Sequence, residues 1–371
     1  MRNSILKTFK YVFIIGVLIV IVSIVLIRVR QKNYGSYTGL SYGTEVSISD
    51  MADIYNNDGK LFVTTMNGTR GYDSDCGLVM DVAFELDHPM TASCGGYAAI
   101  ADIGGTKVYV ISPNGIPHSY KTDSPIVKLC VGSDGTTAVL LDNDSKDMIR
   151  IYSPEGELRV EIGTKTGIDG FPVDIALSED GKKLATLYLS FDGDDIMTKI
   201  TFYNTGDVGK NFIENIVGQK IYAREMAYSV HFMGNDHVAA VFGNGFSLFA
   251  MEEIPSVTLD ERRDEKLLDV AVCDECIAVM AAEPSGNVLS FYNTKGTACG
   301  RITGVGEYET LTVGNGEAMV VKLDKASIYR MNGTIKLDCA LECGCERIYS
   351  GGGNKYFITD MGKIRGASLV K

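Results

Sequence analysis

Nine cysteines are the first residues in this 371-residue chain whose types and spacing could do chemistry. Two groups stand out: Cys273-Asp274-Glu275-Cys276, and Cys339 with Cys343 and Cys345. C-x2-C and C-x3-C-x-C spacings suit a zinc site, because thiolates a few residues apart can close on one tetrahedral ion. The strand order read below places the first group in a turn inside one repeat and the second in a connection between repeats. Those positions fall on opposite faces, so the two groups are not expected to share an ion. Each is read instead as a local disulfide or as small-residue packing.

Clustered carboxylates are the next candidates. Asp142-Asn143-Asp144-Ser145-Lys146-Asp147 and Asp192-Gly193-Asp194-Asp195 supply hard oxygen ligands, which makes Asp142, Asp144, Asp192 and Asp194 candidate calcium ligands. Neither loop has the twelve-residue pattern of a calcium hand, and both read as solvated hairpin tips ahead of calcium sites. Asp102, Asp142, Asp324 and Asp360 recur at strand ends, where an aspartate bonds nearby backbone N–H groups. The four histidines, His88, His118, His231 and His237, form no motif. Gly-x-Ser-x-Gly and the Walker loop are absent, and Gly351-Gly352-Gly353 precedes no helix, so no catalytic residue and no cofactor are expected.

The elements that must position these residues are short strands. Glycine occurs 41 times against 8 prolines without any low-complexity period, which implies many tight turns. A turn motif recurs: an apolar or aromatic strand end runs into polar residues closed by Gly77, Gly115, Gly156, Gly206, Gly296 and Gly333. Their spacings are 38, 41, 50, 90 and 37 residues, the gap of 90 holding two units. An apolar run precedes each turn: Leu61 to Thr65, Tyr97 to Ala101, Ala138 to Leu141, Leu184 to Leu189, Val238 to Phe242, Ile277 to Ala281, Met319 to Leu323 and Tyr356 to Thr359. Repeats of this size without an amphipathic helix are blades of four strands. The fold class expected is therefore all-β, a single eight-bladed β-propeller over residues 44–371, with seven blades as the alternative. The last unit lacks an outer strand, and Thr44 to Ile48 is expected to supply it, closing the ring without a free edge.

Ahead of the propeller, Tyr11 to Ile27 is an uncharged apolar run of 17 residues. A helix of that length spans about 25 Å, and flanking Lys and Arg can snorkel, so a transmembrane helix is expected. A cleaved signal peptide fits less well, since Arg28-Val29-Arg30-Gln31-Lys32 follows where a small-x-small site should lie. Residues 1–10 then form a basic tail and residues 28–43 a tether. Arg2, Lys7 and Lys10 precede the span without a carboxylate, which favours keeping the tail in the cytoplasm and exporting the propeller. Arg28, Arg30 and Lys32 pull the other way.

The formal charge is −12, and setting aside the six basic residues of 1–32 leaves 29 basic against 47 acidic residues, a net of −18. So acidic a domain repels phosphate backbones, and nucleic acid is excluded as a partner.

With these motifs in view, the blade pattern resembles quinoprotein-type bacterial propeller repeats. The arrangement of tail, span, tether and about eight blades is similar to an uncharacterised family of membrane-anchored propellers from Gram-positive bacteria. The chain has no tryptophan, which limits the quinoprotein likeness to architecture. The anchor, the absence of any catalytic motif and the common use of propellers as rigid binding surfaces lead to the expectation of a membrane-anchored, extracytoplasmic, non-enzymatic binding or scaffold module presenting one propeller face to a protein or cell-envelope ligand. A metal-dependent hydrolase or lactonase-like propeller is the competing expectation.

Overall fold

The computed structural model describes residues 15–17, 33–40, 51–57, 59–143, 147–164, 169–322, 325–341, 344–360 and 363–371. They hold 32 strands, β1 to β32 in chain order, arranged as eight four-stranded antiparallel sheets. The inner strands of blades one to eight are β2 (Met51–Asn57), β6 (Pro89–Cys94), β10 (Ile126–Val131), β14 (Phe171–Leu177), β18 (Ala227–Met233), β22 (Leu267–Val272), β26 (Thr310–Gly314) and β30 (Arg347–Ser350). Each is followed by its blade's second strand, and these carry the eight apolar runs expected from the sequence. In β11 (Thr137–Leu141) every residue is buried, because both faces of a second strand meet a neighbouring blade. The outer strand β9 (Pro117–Lys121) is mostly exposed and polar, as suits the rim.

Eight apolar clusters hold the ring together, each filling the wedge between two adjacent blades. Seven join consecutive blades. The eighth packs Leu61, Val63 and Tyr72 of blade one against Phe357 and Ile364 of blade eight, so last meets first. Two sheets packed face to face bury side chains that neither could bury alone, which is why a single blade cannot stand by itself.

Blade eight is completed by β1 (Ser36–Leu40), which pairs antiparallel with β32 (Lys363–Val370) from Ser36 opposite Val370 to Leu40 opposite Gly366. This corrects the expected closure: the outer strand comes from the segment read as tether, and Thr44 to Ile48 lie outside the described residues. The Tyr/Gly composition of 33–43 resembles a linker, yet Tyr34 and Tyr37 pack on the cluster between blades seven and eight. The Tyr34 N–H also donates to the Lys336 carbonyl at 2.9 Å. The propeller therefore starts about ten residues earlier than read.

The recurring turn between third and fourth strands is also explained. Ser112 N–H donates to Ile116 O at 3.0 Å and Gly115 N–H returns to Ser112 O at 2.8 Å, with Gly115 at φ 75°. That left-handed corner is the reason for the glycine. In blade one the same corner is Cys76, at φ 60°, not Gly77. Among the described residues no helix is long and apolar enough to cross a membrane. Residues 15–17 are helical, and the rest of the 11–27 run lies outside the described residues.

Candidate functional site: the central channel

The antiparallel meander places the first-to-second-strand turns on one face, here called lower. The second-to-third-strand hairpins and the blade-to-blade connections lie on the opposite, upper face. Between them runs a cavity of about 520 Å³ lined by the inner strands.

An inner strand pairs on one side only, so its other edge presents backbone groups that need partners. Side chains from the preceding blade provide several. Asp53 accepts the Thr91 N–H at 3.0 Å, and Asp174 accepts the Val230 N–H at 2.9 Å. Tyr55 Oη donates to Ser93 O at 3.1 Å, Cys130 Sγ to Ile175 O at 3.0 Å, and Thr312 Oγ1 to Ile348 O at 2.5 Å. The channel wall is thus a ring of inter-blade hydrogen bonds.

A β-bulge aims the polar members of this ring. In five inner strands the register skips one residue: Ala52, Val127, Val173, Tyr228 and Leu268 are left unpaired. The residue after each is polar: Asp53, Lys128, Asp174, Ser229 and Asp269. A bulge turns the chain locally and re-aims the following side chain.

Charge in the channel is organised around Lys128 and Asp174, whose Nζ and Oδ1 lie 3.0 Å apart. Burial opposes the charge on Lys128, but the neighbouring carboxylate outweighs it and holds the ammonium above its ordinary pKa. Burial, assisted by Asp174, pushes the Cys130 thiol up to about 12, so it stays neutral. His231 lines the cavity and is exposed, and its Nε2 lies 3.0 Å from Ser229 Oγ. The surrounding walls desolvate the ring and lower its pKa, with Asp174 opposing. At the upper mouth burial raises the Asp269 carboxyl, Arg347 acting against it.

The lower mouth holds the Cys273–Cys276 hairpin. Cys273 N–H donates to Cys276 O at 2.9 Å, and the two sulfurs are 3.4 Å apart as free thiols. Of the two readings, local disulfide or small-residue packing, the arrangement matches the second, with Cys276 buried in the cluster between blades six and seven and Cys273 packed against it. The hydrogen bond from Cys276 lowers the pKa of Cys273 against the effect of burial, and it raises that of Cys276 in turn. Across the opening, burial, then Cys94 and Asp274, push Tyr55 up to about 12.

Cys339 and Cys345 flank the connection from blade seven to blade eight, on the face opposite the hairpin, as the strand order predicted. Cys343 lies outside the described residues. Asp142, Asp192 and Asp194 are exposed at the upper hairpins of blades three and four, and Asp144 lies outside the described residues. Asp195 is engaged by Arg224 at 2.8 Å. Among the described residues no three His, Cys, Asp or Glu side chains converge as a metal site. Sequence reasoning missed Lys128 and Asp174. The available signal was an aspartate followed by Ile or Val in three inner strands, at Asp53-Ile54, Asp174-Ile175 and Asp269-Val270.

Residues 30–369 match the model of a family of unknown function, DUF5711. The chain belongs to that family. No curated protein matches it. Among solved structures, the DUF5711 chain is similar to apo AztD from Citrobacter koseri at 9% identity, covering 79% of this chain and 86% of that one with a TM-score of 0.54. It is also similar to Sqt1 from Saccharomyces cerevisiae at 11% identity, covering 92% and 99% with a TM-score of 0.53. At such identities the likeness concerns the propeller fold alone.

Proposed function

We propose that this DUF5711 chain is a single-pass membrane protein whose propeller lies outside the cytoplasm and acts as a non-enzymatic binding module. The observation that carries the reading is how the chain joins the ring. Tyr34 is held on blade seven by a parallel bridge to Leu337, and Asn354 Nδ2 donates to its hydroxyl at 2.6 Å. Ser36, opposite Val370, then starts β1 at the lower rim. Only residues 28–33 separate the apolar run from this fixed point, a reach of at most about 20 Å. A propeller so tethered keeps its lower face near the bilayer and turns its upper face away. The channel side chains support binding over catalysis, since Asp53, Asp174, Tyr55, Cys130 and Thr312 are engaged in joining blades.

Lys371 is exposed at the same rim, so a reporter fused after it leaves the ring intact. Activity from a reporter that works only outside the cell is expected. Signal solely from a cytoplasmic reporter overturns the exported arrangement. A stoichiometric divalent ion that survives dialysis of the purified chain would replace the binding module with the metal-dependent hydrolase reading.

A further inference from the structure

The bulges that aim polar residues into the channel have a second product. The skipped residues Val127, Val173, Tyr228 and Leu268 belong to four consecutive blades, three to six, and keep 36 to 54% of their surface exposed. Each lies near the start of its inner strand, hence at the upper mouth. Phe171 extends this arc at 57% exposure. The hairpin of β15 (Lys183–Asp192) and β16 (Asp195–Asn204), ten residues in each strand, rises beside it and carries Phe191 at its tip, 70% exposed. Exposed apolar residues scattered singly need no explanation, but an arc repeated at one structural position in four adjacent blades does.

The rim of the arc carries exposed carboxylates: Asp192 and Asp194 on the hairpin tip, near the Arg224–Asp195 pair, and Asp264 and Glu265, followed by the exposed Lys266, in the connection leading into blade six. Among the described residues none of these four carboxylates has a Lys or Arg partner within ion-pair distance. An apolar floor with free carboxylates beside it at blades four and six complements a segment bearing aliphatic and basic side chains together, the basic ones steering and orienting it.

We infer that the upper-face arc over blades three to six is the docking surface of the module, and that its occupant is a protein segment combining aliphatic residues with Lys or Arg. This rests on the binding-module reading and adds the face and the partner's chemistry.

The test uses the full-length chain in detergent with three fluorescent peptides: alternating Leu and Lys, alternating Ser and Lys, and alternating Leu and Glu. The Leu/Lys peptide is expected to bind at least about tenfold more tightly than either control, since only it satisfies both floor and rim. Tyr228→Ser with Phe191→Ser should weaken it about tenfold or more, as for aromatic anchors at an interface. Asp192→Lys with Asp194→Lys, at a solvent-exposed tip where folding is not at stake, should weaken the Leu/Lys peptide and favour the Leu/Glu one. Asp274→Asn at the lower mouth should change nothing. Equal binding of Ser/Lys and Leu/Lys peptides overturns the inference. Binding lost on Asp274→Asn but retained in the upper-face variants also overturns it, while leaving a binding module that uses the other face. Self-association of the chain abolished by Tyr228→Ser assigns the arc to a second copy instead, and binding of lipid vesicles through the arc assigns it to a membrane. Failure of all three peptides overturns the arc as docking surface, and the reporter and metal measurements then decide the wider reading separately.

Discussion

Blades three to six and blades seven and eight solve the same geometric problem differently. In the first arc every inner strand carries a bulge, and the skipped residue is a partly exposed hydrophobe. In the second arc the inner strands pair without interruption, with Leu311 and Ile348 buried and Val313 and Tyr349 partly buried. The second arc is also where the ring is locked. β1 completes blade eight there, and the buried Lys336 joins blades seven and eight by donating to Glu317 at 2.6 Å and to Gly353 O at 2.6 Å. Tyr356 Oη adds a bond to the same carboxylate at 2.5 Å. The difference separates stability from exposure: one arc satisfies its groups internally, and the other leaves apolar surface to solvent.

Substitutions should divide along that line. The largest loss is expected at the ring closure, where Phe357→Ala empties a fully buried site between blades eight and one and should cost about 3–5 kcal/mol in denaturant unfolding. Breaking the lock comes next. Glu317→Leu leaves the Lys336 ammonium buried without its carboxylate, so a loss of about 3–5 kcal/mol is expected, and Glu317→Leu with Lys336→Met should recover much of it. A double variant no more stable than the single would show that the pair is not the lock. In the exposed arc, Tyr228→Ser should change stability by no more than about 0.5 kcal/mol. A loss of several kcal/mol there would mean the arc is core and not surface.

Two smaller effects probe the channel between the arcs. Burial raises the folded pKa of Asp269 above the ordinary 3.8. The folded chain then holds this proton more tightly than the unfolded one. Its cost is absent below the ordinary aspartate value and grows as pH rises through the window up to the raised folded value. Asp269→Asn should therefore stabilise the protein slightly at neutral pH and not at low pH, as thermal unfolding across pH will show. At the lower mouth, alkylation at mildly alkaline pH should label Cys273 first, its pKa being lowered by Cys276. Cys76 and Cys130, pushed up to about 11 and about 12, should stay unlabelled in the folded chain, and early labelling of either would contradict those raised pKa values.

Blade number and every second strand were legible in the sequence, because a strand buried on both faces must be an unbroken apolar run such as Ala138 to Leu141. The closing strand was not. Ser36–Leu40 and Thr44 to Ile48 both alternate in the manner of an outer strand, and Tyr/Gly composition suits a linker as well as a packed edge. The bulges were equally hidden, since a skipped residue such as Val173 has the same type as a paired one, and only register distinguishes them. The Lys128–Asp174 pair depends in turn on two of those bulges. Distances in space between inner strands of different blades leave no mark in local spacing.

Hydrogen exchange on the full-length chain, resolved to segments, tests the closure most directly. The N–H groups by which 36–40 and 363–370 pair should be protected to the same degree, because two paired strands open together. Free exchange at 36–40 with strong protection at 44–48 would contradict this, detach Tyr34 from the lower rim, and remove the basis for turning the apolar arc away from the membrane.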